Sequence, residues 1–183
     1  MPSRGSKLSL FLMELIMVIF FFSLSAAVCV RLFTSAHLLS ENARNMTNAA
    51  MWSQNLGEVF TGKKGDVREI SALYPDAFLT ENDPENAKKG GSIVLFFDND
   101  WEIVDDKLSD ASYEAILEVD IKDAAEVYSD VSGYDIDYQG KAAVGSIAIL
   151  DVRNLSENIS SIADAGDFCI LEEKVDLYLG KEN

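Results

Sequence analysis

The sequence predicts an α+β protein in which a long N-terminal helix, transmembrane and then amphipathic, packs on a small antiparallel β-sheet head. Three observations predict it. Residues 6 to 56 form a run of 51 without glycine or proline, the two residue types that most often end a helix. Charge is unevenly divided: the first 61 residues hold four basic and three acidic side chains, the remaining 122 hold 11 and 28. The acidic part reads as apolar-alternating stretches separated by turn residues, the pattern of paired strands. One acidic head of ordinary domain size joined to one membrane segment suits a chain of 183 residues better than two domains do.

The helix comes first. Leu8 to Val30 reads LSLFLMELIMVIFFFSLSAAVCV, 23 residues with Glu14 as the only charge, and about 20 apolar residues span a bilayer core. Arg4, Lys7 and the amino terminus precede the run, and positive charge before a first span favours a cytoplasmic amino terminus with the head outside. Ser25-Ala26-Ala27 offers an alternative, a signal-peptidase site. Against it, the apolar run continues through Val28 and Val30 to Phe33, and Glu14 would lie in the apolar region of the signal. The transmembrane part is therefore read as 10–33.

From 34 to 60 the helix turns amphipathic. Leu32, Ala36, Leu39, Ala43, Met46, Ala50, Ser53, Gly57 and Phe60 recur at steps of four and three, the spacing of one helix face. Glu41, Asn42, Asn45, Asn48 and Asn55 are placed on the opposite face. At about 1.5 Å per residue the breaker-free run would extend about 77 Å as one helix, so the seam needs a partner outside the membrane: the head of the same chain or neighbouring copies.

An intramembrane carboxylate is by default a functional-site hypothesis; a glutamate snorkelling near the end of a tilted helix is the plainer alternative. Here its surroundings add to the case. Leu10-Phe11-Leu12-Met13-Glu14-Leu15-Ile16 resembles the start of a mature type IV pilin or pseudopilin. That family has a short basic leader, an apolar first mature residue, glutamate at the fifth, and a long helix ending in a globular head. With Leu10 first, Glu14 is fifth and residues 1–9 are the leader. The family's glycine before the scissile bond is Ser9 here, and its mid-helix proline is absent. The resemblance covers residues 1 to about 60 and is strongest to the divergent pilin-like proteins of Gram-positive anaerobes. It implies cleavage at Ser9–Leu10 by a prepilin peptidase, methylation of the new amine on Leu10, and a role for Glu14 as a register key. Glu14 would meet the amino terminus of an adjacent subunit, so that two costly charges are paired only in correct register.

The head, 61–183, is read as follows. Gly62-Lys63-Lys64-Gly65 is a loop. A short helix is expected around Asp66–Tyr74, halted by Pro75. Thr80–Gly91 reads as a surface loop. Ser92–Phe97 and Trp101–Val104 are two strands about the turn Asp98-Asn99-Asp100. Tyr113–Ile121 is a half-buried strand with Glu114, Glu118 and Asp120 toward solvent. Gly133–Tyr138 and Ala142–Val152 look like a hairpin about Gln139-Gly140-Lys141, with Asp135 and Asp137 on its solvent face. Phe168–Leu179 is strand-like, although Leu171–Lys174 suits a helix as well. The sheet so formed would bury the seam from Leu39 to Phe60, giving a pilin-like α+β head.

Composition excludes several functions. An excess of acidic side chains argues against direct nucleic-acid binding, which draws on clustered Lys and Arg. Cys29 and Cys169 with the single His37 cannot make a four-ligand zinc site. Asp98, Asp100, Glu102, Asp105 and Asp106 could offer oxygen ligands to calcium, but a hairpin turn accounts for the first two, and no metal or cofactor is expected. The glycosylation-type triplets at Asn45, Asn154 and Asn158 carry little weight. With no nucleophile, phosphate-loop or Cys/His motif, no catalytic residue is assigned and the chain is read as a non-enzyme.

The expected role is a minor pilin or pseudopilin of a type IV pilus or type II secretion-like filament. It would be single-pass in the cell membrane before assembly and part of an extracellular filament after it. The expected partners are the membrane, other pilin-like subunits, a prepilin peptidase and an assembly platform protein. The alternative is a binding module held by an uncleaved signal anchor that never polymerises. A third, weaker reading is an enzyme secreted after cleavage at Ala27.

Overall fold

The computed structural model describes residues 4–83, 90–104, 111–129, 138–153, 155, 159 and 161–181. Helix α1 runs Arg4–Gly62 without interruption, 59 residues. Gly57 does not break it, and its missing Cβ would have lain in ordinary contact with Val175 and Ile147. The chain divides into two compact units, Met1–Arg44 and Asn45–Asn183, with the boundary inside this helix.

The first unit is α1 alone. Every large apolar side chain named among its exposed residues from Leu8 to Phe33 leaves 44% or more of its surface open. The helix is long and apolar enough to cross a membrane. Its hydroxyls are satisfied internally: Ser23 Oγ donates to the Ile19 carbonyl at 2.8 Å and Thr34 Oγ1 to that of Val30 at 3.0 Å. This is how polar side chains are accommodated in a helix surrounded by hydrocarbon.

The second unit packs the rest of α1 on an antiparallel sheet, the α+β layout expected of a pilin-like head. Helix α2, Val67–Ser71, starts at Asp66, whose carboxylate accepts from the Arg68 and Glu69 amides, as an N-cap does. The strands are β1 Phe78–Glu81, β2 Gly90–Phe97, β3 Ile103–Val104, β4 Tyr113–Asp123, β5 Lys141–Asp151 and β6 Cys169–Gly180, with α3, Ala124–Val127, following β4. Their order is β1-β2-β4-β5-β6, every pairing antiparallel, and β3 pairs β2 beyond the end of β1.

Strand parity sorts the core. Ile93, Leu95 and Phe97 of β2, Ala115, Leu117 and Val119 of β4, and Ala143, Ile147 and Ile149 of β5 meet Ala49, Leu56 and Phe60 of α1. The alternate residues Val94, Phe96, Ile116, Ala148 and Leu150 form a second core with Val152, Ile159 and Ala165. Gly145 lies under the helix: a Cβ there would sit 2.8 Å from Val175 Cγ2 and 3.1 Å from the Phe60 ring, so the bare backbone makes room for that ring. Trp52, Phe97, Trp101 and Tyr113 continue the core as a chain of aromatic contacts, Trp101 lying nearly parallel to Tyr113 with centroids 4.1 Å apart.

Several expectations are corrected. The buried helix face is Asn45, Ala49, Ser53, Leu56 and Phe60, whereas Leu39, Met46 and Ala50 are exposed. Ser53 and Phe60 of the seam read from sequence are buried as expected, but the buried face leans from them toward Ala49 and Leu56, and Asn45 lies inside rather than outside. Alanines on both faces made the phase ambiguous, and Leu56 and Phe60 decide it. Thr80–Gly91 is not all loop, since Thr80 and Glu81 pair with Ser92 and Gly91. Leu171–Lys174 lies within β6, in keeping with the strand reading of Phe168–Leu179 and not with its helical alternative. Lys141–Asp151 is a strand whose neighbours are β4 and β6; Tyr138 is not strand, and Gly133–Asp137, with Asp135 and Asp137, on which the expected hairpin rests, lie outside the described residues.

Candidate functional site

Ser9, Leu10 and Glu14 all stand within α1 and all are exposed. Leu10 is 65% exposed. The Ser9–Leu10 bond is helical, so a peptidase that takes an extended substrate would first unwind the turns from Arg4 to Leu10. No hydrogen bond or ion pair holds Glu14 among the described residues. Around it Phe11, Leu12, Met13, Leu15 and Ile16 present apolar surface. Exposed to water, the apolar side chains of this segment would cost on the order of tens of kcal/mol at 1.5–3 kcal/mol each. Lipid or neighbouring apolar helices would relieve that cost, and a carboxylate in either environment is itself costly.

Two depressions of the head border α1 or its end. An open groove of about 770 Å³ is lined by Ala50, Ser53, Gly57 and Glu58 of α1 and by Glu173 and Val175 of β6. Ser53 Oγ donates to Glu173 Oε2 at 2.6 Å across it. A cavity of about 350 Å³ at the end of α1 is lined by Lys63, Lys64, Lys141 and Lys181 with Ile121 and Leu179. Lys63 is paired with Glu69 at 3.3 Å and Lys141 with Asp123 at 2.9 Å. Lysines just past a helix C-terminus also complement its dipole.

The acidic turn is a structural device. Asp98 Oδ1 accepts from the Asp100 and Glu102 amides at 2.8 and 3.0 Å, closing the bend in which Trp101 takes a φ of 66°. Asp105 and Asp106 lie outside the described residues, as do Asn154 and Asn158. Among the described residues no His, Cys, Asp and Glu gather into a metal-binding group. Burial raises the Cys169 thiol above its usual pKa, with the Glu172 charge adding to this, which makes it a poor nucleophile.

Sequence reasoning missed Glu114 altogether. Placed on a solvent face by alternation, it is fully buried, and neither carboxyl oxygen makes a hydrogen bond of ordinary geometry. Burial pushes its pKa up to about 8, and the nearby Ile159 amide pulls the other way less strongly. The missed signal lies beyond local pattern: Ile116, the apolar exception in that strand, shows that the second face is covered too. At the far end of β6, Tyr128 donates to Asp176 at 2.7 Å, and burial followed by this hydrogen bond pushes its phenol up to about 12.

No protein-family model, curated protein or solved structure matches the chain.

Proposed function

We propose that the chain is a pilin-like structural subunit, a minor pilin or pseudopilin of a type IV pilus or type II secretion-like filament. The observation that carries this reading is α1: one unbroken helix with an uncovered apolar N-terminal part and a C-terminal part built into the core of a sheet domain. A subunit that must leave the bilayer and pack by its helix needs this division. In this reading residues 1–9 are the leader, Ser9–Leu10 is cut by a prepilin peptidase, and Leu10 carries the new, methylated amine. Glu14 pairs with that amine on a neighbour. Before assembly the amino terminus is cytoplasmic and the head outside, and an assembly platform protein draws the helix from the membrane.

The second reading, a static signal-anchored binding module, is favoured by Ser9 in the place of glycine. The mass of the amino-terminal peptide from native membranes separates the two. A methylated start at Leu10 supports the filament subunit; a start at Met1 or Pro2 supports the anchor. Replacing Glu14 with alanine should abolish incorporation into filaments while membrane insertion is unchanged or improved. Normal assembly of that variant would overturn the register role.

A further inference from the structure

The second face of the sheet is closed in an unusual way. Glu114 stands in β4 between Phe96 of β2 and Leu150 of β5, with no exposed surface. Around it are Val94, Phe96, Ile116, Ala148 and Leu150 of the sheet and Val152, Ile159 and Ala165 of the segment laid over it. Four residues further along the same strand face, Glu118 reaches the same segment, where its Oε1 accepts from the Ile162 amide at 2.9 Å. One carboxylate on this face is thus held by a backbone donor, whereas the other has the Ile159 amide near it but outside ordinary hydrogen-bond geometry.

The cover itself is light. Ser161–Phe168 consists of two single-turn 3-10 segments, Ile162–Asp164 and Gly166–Phe168, with Ser161 Oγ capping the first. Ala165 is its buried residue and Ile162 packs beside it. Strands β4 and β5, by contrast, are paired over their full eleven residues. Elements with few buried contacts open before strongly paired ones do.

We propose that Ser161–Phe168 is a protonation-gated cover, closed over the second face while Glu114 is neutral and released when Glu114 ionises. A carboxylate buried among apolar side chains, with one poorly placed backbone amide beside it, is disfavoured, and opening the cover to admit water is the cheapest relief. Closure binds one more proton than opening does, so it is favoured at low pH. It weakens as pH rises from the ordinary carboxyl range to about 8, and does not weaken further above that.

The other groups bordering this face, among the described residues, do not supply the missing partner. From β4 comes Glu118, already bonded to Ile162. From β6 come Cys169, Glu172 and Lys174, opposite Leu150, Ala148 and Ser146; Lys174 thus stands in the row of Glu118, two strand rows away from that of Glu114. The cover carries Asp164 and Asp167, both exposed, and their charges disfavour ionisation further. Between Gly90 and Phe97, β2 has no titratable side chain. Arg153, just after β5, engages Asp151 at 2.6 Å and the Tyr113 ring, and Lys141 at the start of β5 engages Asp123 at 2.9 Å.

The test is hydrogen–deuterium exchange on the full chain in lipid nanodiscs, followed from about pH 5.5 to 7.5 and corrected for intrinsic exchange. Protection of Ser161–Phe168 should fall at least about tenfold over that range in the wild type and stay within about twofold in Glu114→Gln. Protection of β4 and β5 should be unchanged in both. Equal behaviour of the two proteins overturns the proposal. So does loss of protection in β4 and β5 together with the cover, which would mean global unfolding. Should the variant fail to fold, the carbon-13 signal of the Glu114 carboxyl in the wild type decides. A titration midpoint above pH 7 supports the gate, and one below pH 7 overturns it.

Discussion

The two parts of α1 share one backbone and one secondary structure but obey different rules. In residues 45–62 the side chains that matter are few and fixed in place: Ala49, Leu56 and Phe60 are buried against the sheet, and their neighbours at Gln54 and Asn55 are open. In residues 8–33 no face is singled out, and large apolar side chains are exposed all round. A helix that folds against its own chain is amphipathic, while one meant for lipid is apolar on every side. The difference teaches where stability resides. Truncation in the upper part removes packing that the chain supplies itself, and truncation in the lower part removes nothing from the folded head.

The sharpest way to break this comparison is Phe60→Ala. Removing a fully buried aromatic should cost the head about 3–5 kcal/mol, read as a lowered midpoint in chemical unfolding of the full chain in detergent. Phe21→Ala, 61% exposed in the lower part, should leave that midpoint within about 0.5 kcal/mol. Equal effects would mean that the head does not rest on α1. A gentler test adds volume instead of removing it. Gly145→Val places methyl groups where Val175 and the Phe60 ring already sit, and overpacking of this kind costs about 1–3 kcal/mol. Combined with Phe60→Ala, part of that cost should vanish, since the cavity accepts the new side chain. The smallest effect is expected just beyond the helix. Asp66→Ala removes the α2 N-cap and should lower stability by about 1 kcal/mol, with no change in membrane insertion.

Much of this arrangement is legible in the sequence because it is local. A run without helix breakers, a cap residue before Val67 and the turn Asp98-Asn99-Asp100 each act within a few residues, and each element stands where it is expected. What was not legible depends on contacts distant in sequence. The phase of the buried helix face is set by Phe60 meeting Gly145, 85 residues away. Strand β1 is recognisable only by its partner, as Thr80 and Glu81 carry no apolar alternation. Glu114 obeys alternation faithfully, yet the face it points to is covered by Ile159 and Ala165, and within its own strand Ile116 is the hint of that cover. For Ser9, Leu10 and Glu14 the reverse holds: their chemistry rests on spacing in the sequence, and the fold adds only that all three are helical and exposed.

The sheet ends on one side in β6, twelve residues long and paired on one flank only, with β5, among the described residues. Long strand edges invite other strands, and on a membrane surface, where heads are crowded into a plane, such an edge would meet its own kind often. Four of the five residues from Glu172 to Asp176 are charged, and charges on an edge are the usual deterrent to sheet accretion. The consequence is that the sheet is discouraged from accreting through its backbone; in the filament we propose, ordered growth would be left to the helix.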